Sequence, residues 1–248
     1  MKGATGFIPG KTLTEELSAA MERVKAQGVT YPERYHRLLT RKYENKGVRY
    51  PHILMIIGEP RINHHFFYSR AINRNGRLLD YGCGTGDNVR QLIRDGFSRD
   101  RITAFDINRE SINLGFDLYR DKDKIEDLFV VSAKFPFAEE EYDLLYSASV
   151  IHVIADEKEF TDYLTHAYSA LRPGGVFFGS TLGLAEGVVR SREKRGPPRI
   201  MTEKRLAGYL TRAGFDCPEV VWRYGVPGYI PHSEDVCVLE FCSKKQES

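Results

Sequence analysis

Arg77-Leu78-Leu79-Asp80-Tyr81-Gly82-Cys83-Gly84-Thr85-Gly86-Asp87-Asn88-Val89-Arg90 is the stretch from which the fold is read. Leu78 and Leu79 suit a buried strand. Gly82, Gly84 and Gly86 then let the backbone turn sharply and come close to a ligand. Val89, Leu92 and Ile93 follow at i, i+3 and i+4, which makes one apolar helix stripe. Strand, glycine turn and helix together present free N–H groups to something polar at the helix start. Taken alone, the stretch specifies a nucleotide-like ligand and no more.

Downstream of it the pattern alternates. Residues 102–107 read as a strand, 109–119 as a helix, and 128–133 and 142–147 as strands. Residues 157–171 carry Phe160, Tyr163, Leu164, Ala167, Tyr168 and Leu171 at helical spacing, and Pro173-Gly174-Gly175 stops that helix before a strand at 176–181. This rhythm implies right-handed βαβ units and a mostly parallel sheet. It then changes. Residues 183–199 are glycine-rich and charged, 202–213 read as a helix, and strands at 219–224 and 236–241 are joined without one, through Gly225, Pro227, Gly228 and Pro231. A helix-free connection implies an antiparallel pair.

Upstream, residues 1–12 read as an arm. Residues 12–27 place Leu13, Leu17, Ala20, Met21 and Val24 on one helix face, ended by Gly28. A second helix follows Pro32 through Tyr35, Leu38, Leu39 and Tyr43, broken by Gly47 and Pro51. Residues 52–57 fit either a strand or a buried helix. Residues 61–72 are expected to be helical.

A chain of 248 residues suits one α/β domain with additions, divided here into an N-terminal helical arm and cap over 1–72 and a core over 73–248 with a flap at 183–200. A formal net charge of +2 argues against a dedicated nucleic-acid binder. Cys83, Cys217, Cys237 and Cys242 show no CxxC spacing, as expected of reduced thiols in a cytoplasmic protein. The N-terminus leads to no apolar core of signal-peptide length. No apolar run approaches the ~18 residues of a membrane span.

Asp106 ends the second strand about 20 residues after the glycines, where a carboxylate accepts both hydroxyls of a ribose. NAD, FAD and S-adenosylmethionine satisfy that equally. The turn itself reads G-x-G-x-G rather than the dinucleotide G-x-G-x-x-G, and Asp80 precedes it. An acid is unwelcome beside a pyrophosphate but useful beside an ammonium and a sulfonium.

With these residues assembled, the chain resembles the class I S-adenosylmethionine-dependent methyltransferases. Residues 79–86 look like that family's first motif and Phe105-Asp106-Ile107 like its ribose motif. Ser132-Ala133 stands where the family often has Asp-Ala beside the adenine. Phe135-Pro136-Phe137, residues 142–147 and Leu171-Arg172-Pro173-Gly174-Gly175 resemble its later motifs, in order, over roughly residues 75–182. The resemblance implies a doubly wound, Rossmann-like seven-stranded sheet with the last strand antiparallel. It also implies S-adenosyl-L-methionine as cofactor. Asp80, Gly82, Cys83 and Gly84 would lie at the methionine part, Asp106 at the ribose, Ile107, Ser132 and Ala133 around the adenine, and Ser147 near the methionine. Ser132 departs from the usual Asp, although a hydroxyl still bonds an amino group or a water.

Methyl transfer needs alignment and, for some acceptors, a base. His152, just past the fourth strand, is the candidate base. His64, Phe67, Tyr229 and His232 are candidates for substrate contact, and the N-terminal helices with the 183–199 segment for a lid. His64-His65 lack further ligands at metal spacing, so no metal site is expected. The basic tract at 190–199 has no interleaved aromatics for stacking on bases. No Asn/Asp-Pro-Pro-Tyr/Phe element occurs, and Cys217-Pro218 reverses the Pro-Cys order of cytosine C5 chemistry. The expectation is methyl transfer to a small-molecule acceptor by a monomer or homodimer that binds neither nucleic acid nor membrane. The alternatives are a protein or RNA methyltransferase, and a non-methylating protein that uses bound S-adenosylmethionine.

Overall fold

The computed structural model describes residues 12–44, 53–184, 200–229 and 236–247. The chain opens with α1 (Leu13–Lys25), α2 (Tyr35–Glu44), α3 (Ile53–Ile56) and α4 (Tyr68–Ile72). It continues through β1 (Leu78–Tyr81), α5 (Asp87–Arg94), β2 (Ile102–Asp106), α6 (Arg109–Tyr119), α7 (Lys122–Ile125) and β3 (Phe129–Val131). Then come β4 (Tyr142–Ala148), α8 (Glu157–Ala170), β5 (Leu171–Leu184), α9 (Glu203–Arg212), β6 (Asp216–Arg223) and β7 (Val236–Lys244).

The strands form one sheet in the order β3-β2-β1-β4-β5-β7-β6. Only β7 runs against its neighbours, β5 and β6. The order reverses between β1 and β4, so the C-terminal ends of these two strands flank the crevice where ligands bind in open α/β sheets. This is the seven-stranded sheet, with its last strand antiparallel, that the resemblance implies.

Alternation along the strands divides the core. Leu79, Tyr81, Leu145 and Phe177 pack with Phe160, Tyr163 and Leu164 of α8 and Leu206 and Leu210 of α9. Leu78, Leu144, Tyr146 and Phe178 face the other way, with Ala71 of α4, Val89 and Leu92 of α5, and Ile112 and Phe116 of α6. The N-terminal helices build a third cluster on the outer side of α6, where Leu17, Val24, Leu39, Leu54 and Ile57 meet Leu114, Leu118 and Tyr119. A capping box between Thr12 and Glu15 starts α1. Tyr31 and Tyr35 donate hydroxyls to the carbonyls of Leu118 and Asp117, tying the cap to α6.

Three local expectations change. Residues 61–72 are not one helix but a single 3-10 turn, Ile62–His64, followed by α4. One tertiary and one local hydrogen bond break the helix: the Phe66 N–H donates to Glu240, and the Phe67 N–H donates to Nδ1 of His65 two residues back. Residues 53–56 resolve as the short helix α3, its first residues buried under α1. The flap expected at 183–200 starts too early. Gly183 and Leu184 belong to β5, and Leu184 N–H donates to the carbonyl of Met201. Of the arm expected at 1–12 only Thr12 is described, as the cap of α1, and the basic tract at 190–199 and His232 lie outside the described residues. Among the described residues, no helix is long and apolar enough to cross a membrane.

Candidate cofactor site

The glycine turn is fastened from three sides. The N–H groups of Gly82 and Cys83 both donate to the carbonyl of Phe105, at 2.8 and 3.0 Å, which draws the turn onto β2. Gly82 has φ +84, and a Cβ there would stand 2.2 Å from Cγ2 of Val150, so the position excludes a side chain on two counts. From α5, Arg90 donates Nη1 to the Thr85 carbonyl at 2.6 Å while its Nε and Nη2 grip Asp121 at 2.7 and 2.8 Å. From the N-terminal segment, the Gly58 N–H donates to Asp87, which also accepts the hydroxyls of Tyr119 and Thr85.

Two carboxylates stand at the mouth of this turn. Asp80 is 0% exposed, and neither of its oxygens has a hydrogen-bond partner. Burial, reinforced by the neighbouring Asp106 carboxylate, pushes its pKa up to about 8. Asn88 turns its amide toward Asp80 without closing a bond, its Oδ1 being held by the N–H groups of Arg61 and Ile62. A buried, unpaired carboxylate is the complement of a cationic group that has still to arrive. Asp106 is fixed differently. Its Oδ2 accepts from the Gly84 N–H and its Oδ1 from the Asn108 N–H, both at 2.8 Å, which fixes the head at the half-buried rim of β2. Next to it in the chain Ile107 is 53% exposed, an apolar side chain following the Asp106 carboxylate. These features fit the three parts of S-adenosylmethionine: a cation for Asp80, a diol for Asp106 and a flat ring for Ile107.

A family profile described as a methyltransferase domain matches residues 59–220. The chain belongs to the methyltransferase-domain family. Methyltransferase ausD of Penicillium brasilianum is 32% identical over 93 residues, covering 34% of this chain and 33% of that protein. The chain thus spans about a third of the length of the first curated relatives it matches. Among solved structures it resembles the 1,6-didemethyltoxoflavin-N1-methyltransferase of Burkholderia thailandensis at TM-score 0.53 and 19% identity, covering 96% and 92% of the two chains. It also resembles the [4+2]-cyclase SpnF at TM-score 0.55 and 17% identity, covering 69% and 76%. Both likenesses concern the fold.

The remaining candidate residues of this methyltransferase domain separate by position. Ser132 is half-buried just past β3, beside the end of β2, with its hydroxyl accepting from the Lys134 N–H, and Ala133 is exposed. Cys83 is buried among the apolar side chains behind the turn, and burial raises its thiol well above the usual range. Ser147 is placed away from Asp80. Asp80 pairs in register with Tyr146, so Ser147 points to the α8 face, where its hydroxyl donates to the Tyr81 carbonyl at 2.6 Å.

His152 sits in a 3-10 turn after β4, with Nδ1 3.1 Å from Oγ1 of Thr181 and accepting from the Leu182 N–H. That arrangement puts the proton of the neutral ring on Nε2. Tyr229 donates its hydroxyl to Ser180 at 2.7 Å, and the Arg61 guanidinium covers its ring. His64 is exposed, its carbonyl held by Arg223. Phe67, expected at the substrate, is instead core: it is buried against Phe178, 5.2 Å away between ring centroids. Its neighbour His65 is the buried histidine, donating to the Gly179 carbonyl, and burial lowers its pKa to about 4. Among the described residues no group of His, Cys, Asp and Glu is arranged to hold a metal ion.

Arg61, Asn88, Tyr146 and Ser180 were not singled out in the sequence. No spacing marks them. They meet on the α5 face of the sheet only because the 59–62 segment and residues 228–229 both fold over it.

Proposed function

We propose that this chain transfers the methyl group of S-adenosylmethionine to a small-molecule acceptor. The observation that carries the reading is Asp80, a buried carboxylate without a partner at the end of β1, directly before a turn whose first glycine, Gly82, leaves no room for a side chain. Asp80 would receive the ammonium, Asp106 the ribose hydroxyls, and Ile107, Ser132 and Ala133 would border the adenine. Bound there, the cofactor supplies an electrophilic methyl group on a sulfonium.

The chain's own residues then orient the acceptor and exclude water. The cap reaches the turn through Ile53, whose Cδ1 lies 3.8 Å from where a Gly84 Cβ would stand. Together with the segment at 59–62, against which Gly228 and Tyr229 pack, it forms one wall of the crevice. His152, protonated at Nε2, serves better as a hydrogen-bond donor that orients the acceptor than as its base. The near-neutral net charge supports a small molecule over nucleic acid.

Incubation with methyl-labelled S-adenosylmethionine and separate pools of small molecules, proteins and RNA tests the reading. Label is expected in the small-molecule pool. Label confined to protein or RNA would overturn the acceptor class, and cofactor binding without transfer in any pool would overturn the reaction.

A further inference from the structure

We propose that the Tyr146 hydroxyl is a positioning group for Asp80, donating to its ionised carboxylate in the cofactor-bound protein. This rests on the functional reading above and extends it to a residue that touches neither end of the expected reaction.

Asp80 on β1 and Tyr146 on β4 are register partners on adjacent parallel strands, which places their Cα atoms roughly 5 Å apart with side chains on one face. Both residues are 0% exposed. Both Asp80 oxygens and the Tyr146 hydroxyl lack a hydrogen-bond partner. Orphaned acceptors and an orphaned donor on neighbouring buried residues complement one another, and each is costly while unmade.

The surrounding hydroxyls set the direction of the proton. Tyr229 donates to Ser180 at 2.7 Å, and Ser180 is the hydroxyl beside Tyr146. With its oxygen receiving the Tyr229 proton, Ser180 turns its own proton toward Tyr146. That leaves the Tyr146 proton for Asp80, the orphaned acceptor on the neighbouring strand. Arg61 fixes the outer end of this row. Its guanidinium lies 4.7 Å over the Tyr229 ring, and its Nε donates to the Gly228 carbonyl at 2.9 Å. Residues 228–229 are thereby wired to the charge at the end of β1.

The titratable groups around Asp80 on its own face are Asp106 from β2, Asp87 from α5, Arg61 from the 59–62 segment, Cys83 from the turn and Tyr146 from β4, with Tyr163 of α8 behind the sheet. Removing the Tyr146 hydroxyl takes away a donor to the charged form of Asp80 and leaves the two acids opposed. Ionisation of Asp80 then requires a higher pH.

The test is calorimetric titration of S-adenosylmethionine into wild type and Tyr146→Phe from pH 6 to 9, with 5′-methylthioadenosine as the probe lacking the amino-acid end. At pH 7 the variant is expected to bind S-adenosylmethionine about tenfold more weakly, the size of one hydrogen bond to a charged group. The deficit should shrink toward pH 9, and 5′-methylthioadenosine should bind both proteins alike. In an Asp80→Asn background the same substitution should change nothing further. A deficit that is constant with pH, or equal for both probes, would make Tyr146 a packing residue and overturn the proposal. Binding of 5′-methylthioadenosine but not S-adenosylmethionine by wild type would instead overturn the assignment of Asp80, and this inference with it.

Discussion

Asp80→Asn is expected to weaken S-adenosylmethionine binding about a hundredfold while making the ligand-free protein more stable at pH 8. The two effects share one cause. Asp80 has no partner in the folded chain, and its pKa stands at about 8 against about 3.9 when unfolded. Between those values the folded state keeps a proton that the unfolded state has lost. Wild-type stability therefore falls as pH rises from about 4 to 8 and levels off above that. Asparagine carries no charge to desolvate, so the variant lacks this slope. It also lacks the charge that recognises the ammonium. Urea unfolding of the ligand-free proteins at pH 5 and pH 8, beside calorimetry with the cofactor, reads both. Equal affinity, or a wild type that gains on the variant with rising pH, would contradict the assignment.

Gly115→Ala is expected to cost about 2–3 kcal/mol and to lower cofactor affinity at least about tenfold. Gly115 lies within α6 and requires no unusual backbone angle. Its importance is closeness: a Cβ there would stand 2.1 Å from the Thr85 carbonyl oxygen, which is backbone of the glycine turn. That oxygen is already gripped by Arg90. Either α6 retreats or the turn shifts, and the turn positions Gly84 on Asp106. Gly208→Ala in α9 is the control, since its new Cβ meets only the end of the Arg212 side chain at 3.4 Å. A gain of about 0.5–1 kcal/mol is expected there. Thermal unfolding of both variants checks the contrast, and a Gly115→Ala protein as stable as wild type would show that α6 does not hold the turn.

Much of the architecture was legible because it follows from local pattern. The 77–90 stretch carries its strand, turn and helix in hydrophobic spacing and glycine placement, and Asp106 is fixed by distance from it. The helix-free connection after residue 224 gave the antiparallel end of the sheet. What escaped was set by register and by tertiary hydrogen bonds. Ser147 and Tyr146 are equally good strand residues, and only the pairing of Asp80 with Tyr146 reveals which shares its face. His64 and His65 differ by one position, yet one is exposed and the other is locked between Gly179 and Phe67. Arg61 and Asn88 are ordinary polar residues until their segments cross above Asp80. The 61–72 segment has helical composition, but bonds to Glu240 and His65 take the backbone donors a helix would use.

The account depends most on Asp80 and Asp106 holding one S-adenosylmethionine between them. Asp106→Asn keeps an acceptor for only one of the two loop N–H groups, those of Gly84 and Asn108, and sets an amide NH2 where the other N–H and the ribose each need an acceptor. Calorimetric titration of S-adenosylmethionine into wild type and this variant at pH 8 is therefore the most direct measurement. The account predicts saturable one-to-one binding by wild type and at least about tenfold weaker binding by the variant. Wild-type affinity retained in Asp106→Asn, or no binding by wild type, would contradict it.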